Sequence, residues 1–113
     1  MARTEVPVTQ ITLAGVEDPA ATAGNASEGN FVAGNDGRTF LTVENADASN
    51  THKVTVITPA TAGGMPIEDD IITVGKSSKV KIGPYPPQVF NQSNGQLYVN
   101  VDSAELKIRA FHL

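Results

Sequence analysis

Few residues in this chain could do chemistry, and their spacing decides what each could do. Glu68-Asp69-Asp70 offers three carboxylates to a hard cation. Consecutive residues of an extended backbone point to opposite sides, so the three do not converge without help from another loop, and a solvated charge cluster before a strand is the simpler reading. Asn45, Asp47 and Ser49 have the first three spacings of a calcium loop. The sixth position, which needs glycine, is Asn50, and the twelfth, which needs a bidentate acid, is Val56. His52 and His112 are the only histidines and there is no cysteine, so both read as ordinary surface or edge residues rather than metal ligands. None of Ser27, Ser49, Ser77, Ser78, Ser93 or Ser103 sits in a strand-turn-helix elbow, and Gly63-Gly64 precedes Met65-Pro66 instead of opening a helix onto a phosphate. The expectation is a protein that is not an enzyme and uses no metal or cofactor.

A rigid apolar corner remains, Pro84-Tyr85-Pro86-Pro87 with Phe90. Tyrosine gives large contact area at low entropic cost, so Tyr85 could anchor a partner. It could instead fold back and cap the open end of a sandwich, which is the favoured alternative. A flat aromatic platform for carbohydrate has weak support, because there is no Trp and Tyr85 and Tyr98 lie on different segments.

The stretch that must position this corner is Val80–Val101. Val80 and Ile82 alternate with Lys79 and Lys81 as a half-buried strand requires, and Gly83, Pro84, Pro86 and Pro87 then stop the ladder. A short strand at Val89 and Phe90, a two-residue Asn94-Gly95 hairpin turn and a strand through Leu97, Val99 and Val101 are expected to follow. Upstream, Val6–Leu13 reads as an edge strand or arm interrupted by Pro7, and residues 14–29 read as a long loop with Val16 its only bulky apolar residue. Asn30–Ala33 is a short strand. Arg38–Asn45 carries bulk on both faces and is paired as a hairpin with Lys53–Thr58 through the polar loop Ala46–His52. Ala60–Pro66 reads as a flexible crossover between sheets. Ile71–Val74, Ser78–Ile82 and Leu106–Leu113 complete the set.

The fold class is therefore all-β: a small, mainly antiparallel β-sandwich or jelly-roll-like barrel of about eight short strands. Residues 1–13 form an extended N-terminal arm, and 14–113 form one domain. At 113 residues the chain holds one core. Its formal charge of −4, with the basic residues scattered, argues against nucleic acid as the main partner. No stretch approaches membrane-spanning length and no export signal is visible.

The succession V-T-V-I-T-P from Val54, a Gly-containing spacer, Gly83-Pro84-Tyr85-Pro86-Pro87, Phe90-Asn91-Gln92 and a strand around Leu97-Tyr98-Val99 resembles small virion proteins of tailed bacteriophages, especially those infecting actinobacteria. The similarity covers about residues 38–113, and the double-proline corner is its most specific part. The resemblance implies a structural virion protein: a capsid decoration (cement) protein made in the host cytoplasm, bound to the outer capsid surface and stabilising the shell. Its implied partners are the major capsid protein and further copies of itself, a trimer being favoured. A head-tail connector or tail component, and a displayed host-surface or glycan-binding module, are the alternatives. The arm, through Arg3, Glu5, Val6 and Val8, or the loop of residues 14–29, and then Tyr85, Pro86 and Pro87 of the corner, are the expected partner contacts, because such segments can order on a neighbouring subunit and symmetry multiplies weak contacts.

Overall fold

The structure is a computed structural model that describes residues 3–113; Met1 and Ala2, at the start of the expected arm, lie outside the described residues. Two five-stranded layers pack face to face. The first has the order β1 (Thr4–Glu5), β4 (Asn30–Val32), β11 (Leu97–Val101), β6 (His52–Val56), β9 (Asp70–Val74). The second runs β10 (Lys79–Ile82), β5 (Thr39–Asn45), β12 (Leu106–His112), β2 (Val8–Gln10), and β3 (Thr22–Ala23) shares the same edge of β12 with β2. Counting only strands of three or more residues gives eight (β2, β4, β5, β6, β9, β10, β11, β12), as the turn spacing suggests. Period-two alternation puts Leu41 and Val43, Val54 and Val56, Leu97 and Val99, and Leu106 and Ile108 between the layers, all with no exposed surface.

The N-terminal segment is part of the sandwich. Thr4 and Val6 donate backbone hydrogen bonds to Gly29 and Phe31 of the first layer, while Ile11 donates to His112 of the second. Between them Val6 is fully buried in the core. Pro7 sits where the chain leaves one layer for the other, a place where a missing amide donor costs nothing. Both β1 with β4 and β2 with β12 are parallel, which departs from the mainly antiparallel expectation only at this segment. Between β1 and β4 the chain runs through β2 and β3 of the second layer, so the crossover that parallel pairing requires is made without a helix.

Three connections also differ from expectation. Arg38–Asn45 and Lys53–Thr58 do not form a hairpin: β5 and β6 belong to different layers, and the polar loop between them is an arch. Asn45, almost fully buried, fixes it. Its side-chain amide donates to the carbonyls of Asn50 (2.9 Å) and Val74 (3.2 Å), and its side-chain oxygen accepts from the Asp47 amide (2.9 Å). The turn between β9 and β10 is a second arch beside the first, tied to it by the Ser77 amide on Asp47 and the Asn45 amide on Ser78. Conversely, Ala60–Pro66 does not cross between sheets. It folds into a small hairpin, β7 (Thr61–Ala62) with β8 (Met65–Pro66), inserted between β6 and β9, which pair directly. Alternation specifies a strand's faces but not its neighbours.

The corner differs in one element. Val89 and Phe90 are not a strand but the end of a one-turn helix, α1 (Pro87–Phe90). Proline at the first helical position has its φ preset and no amide to leave unpaired, so the same prolines that break the ladder start this turn. The loop that follows is Ser93-Asn94-Gly95, three residues closed by the Gln92 amide on the Gln96 carbonyl, with Gly95 at φ 81°.

Candidate functional site

A concave feature lies on the outer face of the second layer. Strand register places three rows there. Lys79 of β10 stands opposite Glu44 of β5 and Lys107 of β12; Lys81 stands opposite Thr42 and Arg109; and Phe40 stands opposite Phe111, their rings stacked at 5.6 Å. These are the alternate positions whose neighbours Leu41, Val43, Ile108 and Ala110 fill the core, so burying one set obliges the other to face outward. The segment after β2 forms a wall over this face. With Ile11, Val16 and Asp18 it encloses a groove of about 370 Å³ lined also by Phe40, Thr42, Lys79, Lys81, Arg109 and Phe111.

Arg109 is committed to holding that wall. Its Nε donates to the Pro19 carbonyl at 2.8 Å and its Nη1 pairs with Glu44 at 3.4 Å. Lys79 and Lys81 are exposed and make no ion pair among the described residues. Lys79, Lys81, Lys107 and Arg109 are four of the eight basic residues of an acidic chain, gathered on one face. A stacked aromatic pair flanked by free ammonium groups can take an apolar side chain that carries a carboxylate beside it.

The residues expected to contact a partner do not come together here. Arg3 donates to Asn100 Oδ1 (2.7 Å) and the Asn30 carbonyl (3.2 Å) and lies 4.0 Å over the Tyr98 ring, tying the N-terminal segment to β11. Glu5 is exposed on β1, Val8 is partly exposed on β2, Pro86 is exposed and Pro87 is half-buried. Val6 and Tyr85 are buried and present no surface to a partner in this state. Tyr85 takes the capping position: its phenol donates to Asp70 at 2.8 Å and its ring packs edge-on to Phe90 at 4.9 Å. Burial, then the neighbouring Asp70 carboxylate, push the phenol's pKa upward. Asp70 is thereby separated from Asp69, which accepts the Thr58 amide, and from Glu68, which is exposed. The groove residues were missed because outward Lys and Phe on a strand look like any wet face until register aligns three strands; the sequence signal was Phe40 on the face opposite Leu41 and Val43.

A second polar cluster is structural. His52 lies 2.9 Å from Asp47 and 3.1 Å from Asp102, one carboxylate on each ring nitrogen, and so joins the first arch to the turn after β11. The hydrogen bond to Asp47 raises the His52 pKa above 6.5. Asp47, accepting the Ser49 amide and then His52, is lowered to about 2. A raised histidine contributes stability that is complete below 6.5 and is lost as pH climbs through its folded value. A lowered aspartate contributes stability present above 3.8 and lost as pH falls through about 2. The melting temperature of the wild type is therefore expected to decline on the alkaline side of 6.5, and that decline should flatten in His52→Gln. Parallel curves for the two proteins would contradict the assignment.

No family model, no curated protein and no solved structure matches the chain.

Proposed function

We propose that this chain is a structural virion protein of a tailed bacteriophage that decorates the outer surface of the head and stabilises the shell by binding its major capsid protein. The observation that supports it best is how the surface is divided. The motif that resembles small phage virion proteins, Gly83–Pro87 with Phe90-Asn91-Gln92, goes into building the fold: Tyr85 closes the core, the Asn35 side-chain amide donates to Asn91 Oδ1 at 2.7 Å, and the Asn91 side-chain amide donates to the Asn35 backbone carbonyl at 2.9 Å beneath the corner. Apolar side chains that a monomer would bury stand outside instead, with Met65 at 69%, Ile71 at 61% and Leu13 fully exposed. Exposed apolar side chains on one part of the surface and a groove carrying Lys79, Lys81 and Arg109 on another suit a module that is completed by contact with other proteins. Binding to the assembled lattice rather than to free subunits would stabilise the shell by mass action. Counting this chain against the shell subunit in purified particles tests the reading, because decoration requires comparable amounts of the two.

A further inference from the structure

The hairpin excursion at residues 60–69 and the groove on the second layer are complementary in chemistry and separate in space. The excursion leaves the first layer between β6 and β9, carries Met65 and Ile67 exposed at 69% and 40%, and follows them with exposed Glu68 and Asp69. Of its two carboxylates, Asp69 accepts the Thr58 amide, which leaves Glu68 free for a partner cation. The groove presents the Phe40–Phe111 stack with Ile11 and Val16 for an apolar side chain, and unpaired Lys79 and Lys81 for a carboxylate. Among the described residues of this excursion none lines the groove of its own chain, so the two surfaces point to different neighbours.

From this complementarity we propose that the excursion of one copy docks in the groove of a second copy, Met65 and Ile67 covering the phenylalanine stack and Glu68 meeting Lys81. Such a contact uses two different surfaces and is heterologous, so it closes into a ring or trimer when the rotation between copies permits. Gly63-Gly64, both at positive φ with open space around them, make a turn that can sit against another chain without side-chain obstruction. Charges set the register of the contact, and the apolar side chains supply most of its burial. This deepens the assembly reading above and rests on it for its biological setting. The contact itself stands or falls in solution, where particle copy number plays no part, so the two can fail separately.

The experiment is sedimentation of the purified chain over a concentration series, for wild type, Lys81→Glu, Glu68→Lys and the chain carrying both. All three variants change exposed side chains, and thermal melting confirms that each folds. Wild type should self-associate, more weakly when ionic strength rises from about 0.1 M to about 1 M and the screening length falls from about 10 Å to about 3 Å. Each single variant should weaken association by about tenfold or more, and the double variant should recover most of it because the charges are exchanged rather than lost. A wild type that stays monomeric throughout, single variants that associate as wild type does, or a double variant no better than the singles would each overturn the proposal.

Discussion

Val6→Asp is expected to lower the free energy of unfolding by about 3–5 kcal/mol, the range for a buried charge with no partner. Val6 has no exposed surface and stands between the two layers, with its own amide bonded to Phe31. A carboxylate there must stay charged against a fully apolar wall or take up a proton, and either route opposes folding. Against a typical total of about 5–15 kcal/mol, that loss leaves a large unfolded fraction. Val8→Asp is the control, because Val8 is 39% exposed and a surface change of this kind stays within about 0.5 kcal/mol. Urea melts of the two variants decide how the N-terminal segment is used. A free arm would tolerate both substitutions equally, whereas a clasp across the sandwich fails only with the first. The distinction bears on function as well, since a segment spent on closing its own fold is not available to reach a neighbour.

Asn45→Ala carries the second large effect, a loss of about 2–3 kcal/mol. Deleting the amide removes its hydrogen bond to the Val74 carbonyl, in a residue with no exposed surface, and releases the Asp47 amide and the Asn50 carbonyl. The exposed Asn50 group can turn to water, so the bond lost to the buried Val74 carbonyl and the space left by the buried Asn45 side chain set most of the cost. Because Asn45 joins both arches, unfolding should also lose cooperativity at that end, visible as faster amide exchange of Ser77 and Asn45's neighbours. Asn45→Asp should not rescue it, since a carboxylate cannot donate to the two carbonyls. Melting temperatures close to wild type in Asn45→Ala would contradict the role given to this side chain.

How much of this was legible in the sequence depends on which physical constraint each feature obeys. Strand positions followed from alternation: Val54 and Val56, Leu97, Val99 and Val101, and Leu106 and Ile108 all face the core as their spacing requires. Partners were not legible. Nothing in Ala46–His52 says whether a polar loop returns to the same sheet or arches to the other, because the deciding group is Asn45 reaching the carbonyl of Val74, 29 residues away. The prolines gave the corner but not the turn of helix inside it, since Pro87 both ends a ladder and begins a helix. The groove was hidden for a related reason: Phe40, Lys81 and Phe111 become one surface only once β10, β5 and β12 lie side by side. Tyr85 could be read as an anchor or as a cap, and the tie-breaker was Asp70, whose carboxylate receives the phenol.

The most direct test of the central claim is the number of copies of this chain in purified phage particles, measured by quantitative mass spectrometry against the major capsid protein. A ratio near one-to-one is the expected result and assigns the chain to the whole head lattice. A few copies per particle would contradict decoration and move the chain to the portal vertex or the tail.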